Sequence, residues 1–139
     1  MANGGIIGVS NKTSFGKNTI TTKTASGDIT TQPGTRQVDY LVVGGGGGGG
    51  YRLAGGAGAG GYRSSGHGPA PLQGSAISVC GATAYSVVIG GGGAGSGPSP
   101  EFGVQGVASS FSTITSAGGG AGAGNTSTLA QGGSGGGAK

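Results

Sequence analysis

The chain has 139 residues, of which 40 are glycine, and it carries 7% charged residues with a formal net charge of +4. Three Phe, four Tyr and no Trp supply too little side-chain volume for the core of an ordinary enzyme of this length. Glycine loses more backbone entropy on folding than any other residue, so a lone monomer is expected to be marginal and to pack against copies or a larger assembly.

Charge and cysteine usage exclude several classes of site. The seven basic residues are spread along the chain, whereas a nucleic-acid surface needs a basic stripe, so no nucleic-acid partner is predicted. A single cysteine, Cys80, excludes an intramolecular disulfide and a Cys-rich metal site, and its place in an apolar strand pattern predicts a buried thiol. No apolar run approaches 18 residues, so no membrane insertion is expected. The N-terminus does not have the pattern of a secretory signal, which favours synthesis in a cytoplasm.

Residues 1–17 are predicted to form an N-terminal docking segment, and residues 18–139 a glycine-rich β domain. The segment contains a short apolar group, Ile6, Ile7 and Val9. These side chains suit docking onto a neighbouring subunit. An edge strand of the chain's own domain explains them equally well.

Two β-rich runs follow. Thr19–Thr24 and Ile29–Thr31 flank a Ser-Gly-Asp turn and predict a hairpin. After the Pro33-Gly34 turn, Val38–Val43 is apolar on both faces apart from Asp39, which predicts a strand buried near the middle of a sheet. If Asp39 points inward, it should pair with Arg36 or a backbone donor.

Seven glycines, 44–50, follow this strand directly. A strand that runs into glycines also opens a dinucleotide-binding βαβ unit. The place of its helix, however, is occupied by further glycines, each of which costs about 1 kcal/mol relative to Ala in a helix. The position of the ribose-binding acid holds Arg63, Ser64 and Ser65. A close-packed backbone scaffold is the better interpretation, and no cofactor is predicted.

Residues 44–74 are predicted to form a Gly/Ala loop that is anchored by two Tyr-Arg dipeptides. These are the candidate surface contacts: Tyr51, Arg52, Tyr62 and Arg63. Residues 75–90 alternate apolar with small side chains around a Gly-Ala-Thr turn, which predicts a hairpin with one inward face. Residues 107–117 predict one last strand.

Three strands therefore end in glycine runs, at positions 44, 90 and 118. This arrangement predicts an all-β fold, a small β-sandwich of short antiparallel strands with long Gly-rich loops. The glycine segments are expected to emerge at one end and to lie side by side as extended, threefold polyproline-II-like helices, which only glycine can pack so closely. A flexible linker is the competing interpretation.

The order of these elements resembles the glycine-rich domain of bacteriophage tail-fibre and other virion proteins. The resemblance is carried by the Thr/Ser-Gly hairpin, by Val38–Gly46, by Tyr85–Gly91 and by Ser109–Phe111 before the last glycines, and it covers about residues 18–137. The chain departs from that pattern at Cys80-Gly81-Ala82 and in its short closing glycine segment. The resemblance implies a structural role in a virion, assembled in the host cytoplasm, and no catalysis.

Catalysis needs convergent titratable groups, and the chain offers few candidates, namely Asp28, Asp39, His67, Cys80 and Glu101. No catalytic, cofactor or metal site is predicted, and His67 is expected to be a solvated loop residue. The leading hypothesis is a non-catalytic tail-fibre, appendage or adhesin subunit. Its expected partners are other virion proteins, copies of itself, preferentially as a trimer, and a host surface glycan or protein. A capsid decoration protein and a Gly-rich cell-surface or secreted filament or glycan-binding protein are the alternatives.

Overall fold

The computed structural model describes residues 19–52, 55–98, 102–124 and 131–137. Across these ranges the chain is all-β, without helices, as predicted. Ten short strands follow in chain order: β1 Ile29–Thr30, β2 Gln37–Val38, β3 Leu41–Val43, β4 Tyr62–Ser65, β5 Gln73–Gly74, β6 Ile77–Ser78, β7 Ala84–Tyr85, β8 Val87–Val88, β9 Ser109–Phe111 and β10 Ile114–Ser116.

The strands form four small sheets. Two are three-stranded, with orders β3-β4-β5 and β10-β9-β8, and two are pairs, β1-β7 and β2-β6. All pairings are antiparallel except that of β4 with β5. Strands β9 and β10 contact β3, and β10 also contacts β4, so the two larger sheets pack against each other.

The core is small. Val42, Val87 and Phe111 are its buried centre, and seven partly buried apolar side chains surround them. The rings of Tyr85 and Phe111 lie 6.4 Å apart at 59°, a tilted geometry that aromatic pairs favour. Burial of this size stabilises the junction of the two larger sheets and cannot order the rest of the chain.

Both predicted local hairpins are wrong in their pairing. Residues 19–24 form no strand, and β1 pairs with β7 instead. The Thr31 hydroxyl donates to the carbonyl oxygens of Cys80 and Thr83 at 2.7 and 3.1 Å, which fixes this long-range contact. Within 75–90, likewise, β6 pairs with β2 and β8 pairs with β9 rather than with each other.

The inward face predicted for 75–90 is correct, although the pairing is not. Val79 and Val87 are buried, whereas Ser78 and Ser86 are exposed. The same alternation contradicts the predicted buried thiol, because Cys80 follows the inward Val79 and lies on the outer face, exposed.

The strand predicted as central is divided and lies at an edge. Asp39 and Tyr40 separate β2 from β3, and β3 is an outer strand of its sheet. Only Val42 is buried, while Leu41 and Val43 are 68% and 54% exposed. Apolar residues on both faces therefore do not indicate burial on both faces here.

The last predicted strand is a hairpin. Ser112 and Thr113 form a two-residue loop that places Ile114 opposite Phe111, and Ser112 has φ of 52°. Because the loop reverses the chain, Phe111 and Ile114 lie on one face of the hairpin, and the prediction of a single strand over 107–117 is wrong.

Candidate functional site

Six extended segments rich in glycine continue from the sheets. We number them I (residues 44–50), II (55–61), III (90–96), IV (103–107), V (117–123) and VI (133–137). Their backbone hydrogen bonds recur at every third residue. Gly44, Gly47 and Gly50 of segment I, for example, donate to Gly61, Gly58 and Gly55 of segment II. Three residues per turn is the period of a polyproline-II helix.

The hydrogen bonds arrange the six segments in two staggered layers of three. Segment I donates to II and IV and accepts from III and V, while segment V bonds to I, II, IV and VI. These contacts place III, I and II in the first layer, and IV, V and VI in the second. We call this two-layered unit the glycine bundle. The prediction that the glycine segments lie side by side is therefore correct, and a flexible linker is excluded for the described segments.

The bundle keeps the register of the sheets that lead into it. The last pair of the β3–β4 ladder, Val43 opposite Tyr62, is followed by Gly44 bonded to Gly61. The β8–β9 ladder passes into segments III and IV in the same way, and the β9–β10 hairpin into IV and V. In these three ladders the backbone changes from the two-residue period of a β-strand to the three-residue period of a polyproline-II helix. The residue pairing continues across this change without a shift in register.

Close approach of backbones explains which positions must be glycine. A β-carbon on Gly47 would lie 2.1 Å from the carbonyl oxygen of Gly120, and those on Gly44, Gly45 and Gly48 would meet other backbones as closely. At Gly49 nothing lies within 4 Å. The requirement for glycine thus has the threefold period of the helix.

Side chains occur in segment IV at the positions that this period leaves open. Gly103 and Gly106 face segment I, where a β-carbon would collide with the carbonyl oxygens of Gly48 and Gly45. Val104 and Val107 point outward and are 55% and 58% exposed. The repeat of glycine at every third residue is visible in the sequence, at Gly103 and Gly106. The sequence analysis missed it because in runs such as 44–50 every residue is glycine, so no period can be recognised there.

The two Tyr-Arg pairs lie at opposite ends of the bundle. Tyr51 and Arg52 follow segment I at its far end, whereas Tyr62 and Arg63 begin β4 at the sheet end. Segment I spans roughly 20 Å at about 3.1 Å per residue. The structure therefore separates the four candidate contact residues into two sites.

At the far end, the Arg52 guanidinium lies 5.6 Å from the centroid of the Tyr51 ring, within the range of a cation–π contact. Arg52 has φ of 58° and its side chain is exposed. Phe102, which directly precedes segment IV, lies at the same end and is 49% exposed. We call this surface the tip.

At the sheet end, Tyr62 and Arg63 belong to a strand and not to the predicted loop. The Tyr62 hydroxyl packs against Gly68, and Arg63 donates to the carbonyl oxygen of Pro71. His67 is exposed, and its carbonyl oxygen accepts from the Ser64 hydroxyl.

Asp39 is bonded neither to Arg36 nor to a backbone donor. Its Oδ1 accepts from the Ser65 hydroxyl at 2.9 Å, and the same hydroxyl accepts from the Tyr40 N–H at 2.9 Å. Ser65 is 5% exposed, so this side chain connects the break between β2 and β3 to β4.

The described residues contain no group of three His, Cys, Asp or Glu side chains that could hold a metal ion. Nor does this part of the chain contain a helix long and apolar enough to cross a membrane. The predicted docking residues Ile6, Ile7 and Val9 lie outside the described ranges.

The model of the family described as "Glycine-rich domain" matches residues 21–139. The chain belongs to this glycine-rich domain family. No curated protein and no solved structure matches it. In this glycine-rich domain, the family match covers both the sheets and all six bundle segments, so the two parts form one unit of sequence as well as of structure.

Proposed function

We propose that this glycine-rich domain is a non-catalytic structural protein of a virion, a tail-fibre, appendage or adhesin subunit that associates with copies of itself. Its partners are other virion proteins, docked through residues 1–17, and a glycan or protein of the host surface. Assembly takes place in the host cytoplasm. The resemblance of its elements to those of virion proteins suggests the setting, and the bundle supports the mechanical role.

The observation that carries the proposal is the continuous register between sheets and bundle. Because the β3–β4, β8–β9 and β9–β10 ladders pass into the bundle without a slip, the two larger sheets and the glycine segments form one stiff body. Such a body holds Tyr51, Arg52 and Phe102 roughly 20 Å from the sheets. A subunit that presents a contact surface at a distance needs this property, and it needs no convergent titratable groups.

The tip is the surface that this body presents. Tyr51 and Arg52 combine an aromatic ring with a charged donor, a pair of residue types that is enriched where proteins bind partners. Phe102 adds exposed apolar area at the same end. We assign contact with the host surface to the tip.

Exposed apolar side chains elsewhere favour self-association. Leu41 and Val43 lie on the outer strand β3, and Val104 and Val107 on segment IV, all more than half exposed. Monomeric soluble proteins rarely expose large contiguous apolar surfaces. We expect these side chains to be covered by a second copy or by another virion protein.

Light scattering coupled to size-exclusion chromatography of the full chain tests the proposal. A defined trimer supports a fibre or appendage subunit. A monomer at all concentrations contradicts self-association and favours a decoration protein, whereas open-ended polymers favour a surface filament.

A further inference from the structure

A shallow cleft of about 230 Å³ lies at the sheet end, on the side of the molecule away from the tip. Strands β4, β5 and β10 and the segment before β3 form its walls. Its lining combines apolar surface from Pro71, Leu72 and Ile114 with five polar side chains: Tyr40, Arg63, Gln73, Thr113 and Thr115. The volume is below the range of pockets for drug-sized molecules, so the cleft fits a ligand of about one ring.

Most of these polar groups are unpaired. Among the described residues, the Tyr40 hydroxyl, the Gln73 amide and the hydroxyls of Thr113 and Thr115 have no hydrogen-bond partner in the protein. Together they offer donors and acceptors from three sides of one cavity. Gly74 makes room for the Tyr40 hydroxyl, because a β-carbon there would collide with it.

Arg63 gives the cleft its charge. Its guanidinium donates to the carbonyl oxygen of Pro71, a contact that holds the side chain in place and leaves other N–H donors free. No acidic residue lines the cleft. Asp39 is bonded to Ser65 instead, and Arg63 has no ion pair with any described residue.

A fixed guanidinium without a counter-charge selects an oxyanion, and a carboxylate matches its planar fork best. Unpaired hydroxyl and amide groups around it select a ligand that carries several hydroxyls. We propose that this cleft binds a carboxylate-bearing saccharide unit, with its carboxylate on Arg63 and its hydroxyls on Gln73, Thr113 and Thr115. The site is separate from the tip and does not depend on the proposed role in a virion.

The test is a titration of the full chain with sodium glucuronate, followed by amide chemical shifts. Glucose and inorganic phosphate are the comparison ligands. We expect saturable shifts at Gly74 and Thr115 with glucuronate, and binding at least tenfold weaker for glucose and for phosphate. Phosphate binding as tight as that of glucuronate would overturn the saccharide assignment, and no saturable shift with glucuronate would overturn the site.

Two variants with the same change of charge decide whether the cleft is responsible. Arg63→Gln should weaken glucuronate binding at least tenfold, because it removes the charged hydrogen bonds. Arg36→Gln, at an exposed residue outside the cleft lining, should leave the affinity unchanged within twofold. Equal losses in both variants would mean that net charge alone attracts the ligand, which contradicts the proposal.

A third variant keeps the test valid if Arg63→Gln does not fold, which a thermal melt detects. Gln73 is exposed on the outer strand β5, so Gln73→Ala should leave the melting temperature unchanged and weaken glucuronate binding about threefold to tenfold. If Arg63→Gln does not fold, unchanged glucuronate affinity in Gln73→Ala would by itself remove the site.

Discussion

Ser109 lies opposite Ser116 in the β9–β10 hairpin, and both side chains are 1% exposed. The Ser109 hydroxyl accepts from the Gly90 N–H at 3.0 Å, where β8 passes into segment III. The Ser116 hydroxyl has no hydrogen-bond partner among the residues that the structure describes. The two serines are equally buried and lie opposite each other, but only the Ser109 hydroxyl forms a hydrogen bond within the described ranges.

This difference predicts opposite effects of the same substitution. Ser109→Ala leaves the half-buried Gly90 N–H without a partner and should lower the free energy of unfolding by about 1–3 kcal/mol. Ser116→Ala removes an unsatisfied hydroxyl and should be neutral or slightly stabilising. Urea unfolding followed by circular dichroism measures both. Equal losses of stability in the two variants would contradict the hydrogen-bond assignment.

A second prediction concerns Ser65, whose hydroxyl bonds both the Tyr40 N–H and Asp39. Ser65→Ala should cost about 1–2 kcal/mol, because the half-buried Tyr40 N–H loses its acceptor. Asp39→Asn is the matched control. Asp39 is exposed, so its substitution should change the unfolding free energy by no more than about 0.5 kcal/mol. A larger effect of Asp39→Asn than of Ser65→Ala would show that the carboxylate, and not the backbone contact, matters here.

Local patterns predicted some features correctly because those features are local. The alternation around Val79 and Val87 depends only on the twofold period of a strand. Pairing partners depend on contacts far apart in sequence, such as Thr31 with Cys80 and Thr83, and no local signal specifies them. The β9–β10 turn was missed because Ser112-Thr113 has none of the usual Gly, Asn or Asp residues of a two-residue hairpin loop.

The site was predictable in part. Strands that end in glycine predicted that the segments pack together, but an unbroken glycine run gives no sign of which positions face inward. The two Tyr-Arg dipeptides are similar in sequence, yet they lie at opposite ends of the bundle. Tyr51-Arg52 follows segment I and Tyr62-Arg63 follows segment II, and these two segments run antiparallel to each other. The cleft joins residues from positions 40 to 115, so its composition is visible only after folding.

Exposure of Cys80 gives a third prediction. An exposed thiol on the outer face should react completely with a thiol reagent such as DTNB in native buffer, without denaturant. Cys80→Ser should change the free energy of unfolding by no more than about 0.5 kcal/mol, since it removes no buried contact. Labelling that requires urea would show that the thiol is covered, as in a self-associated form.

The boundary of the family match, at residue 21, leads to a fourth prediction. A chain that lacks residues 1–17 should keep the circular dichroism spectrum and melting temperature of the full chain. In the proposed role, the truncated chain should also be absent from purified particles. If the truncated chain unfolds instead, residues 1–17 are part of the domain, and their assignment as a docking segment is wrong.

The glycine segments are packed against one another through their backbones, at a distance that leaves no room for a β-carbon at the inward positions. Gly47 and Gly49 belong to the same segment, but a β-carbon would collide with Gly120 at the first position and meet nothing within 4 Å at the second. Gly47→Ala should therefore destabilise the protein by about 1–3 kcal/mol through overpacking. Gly49→Ala should be neutral or stabilising by up to about 1 kcal/mol, because it reduces the entropy of the unfolded chain.

Thermal melts of the two variants beside the parent chain measure this difference directly. At roughly 4 °C per kcal/mol for a domain of this size, we expect a fall of about 4–12 °C for Gly47→Ala and an unchanged or higher melting temperature for Gly49→Ala. Equal melting temperatures for the two variants would contradict the account, because segment I would then be a solvated tether rather than one of the central helices of a packed bundle.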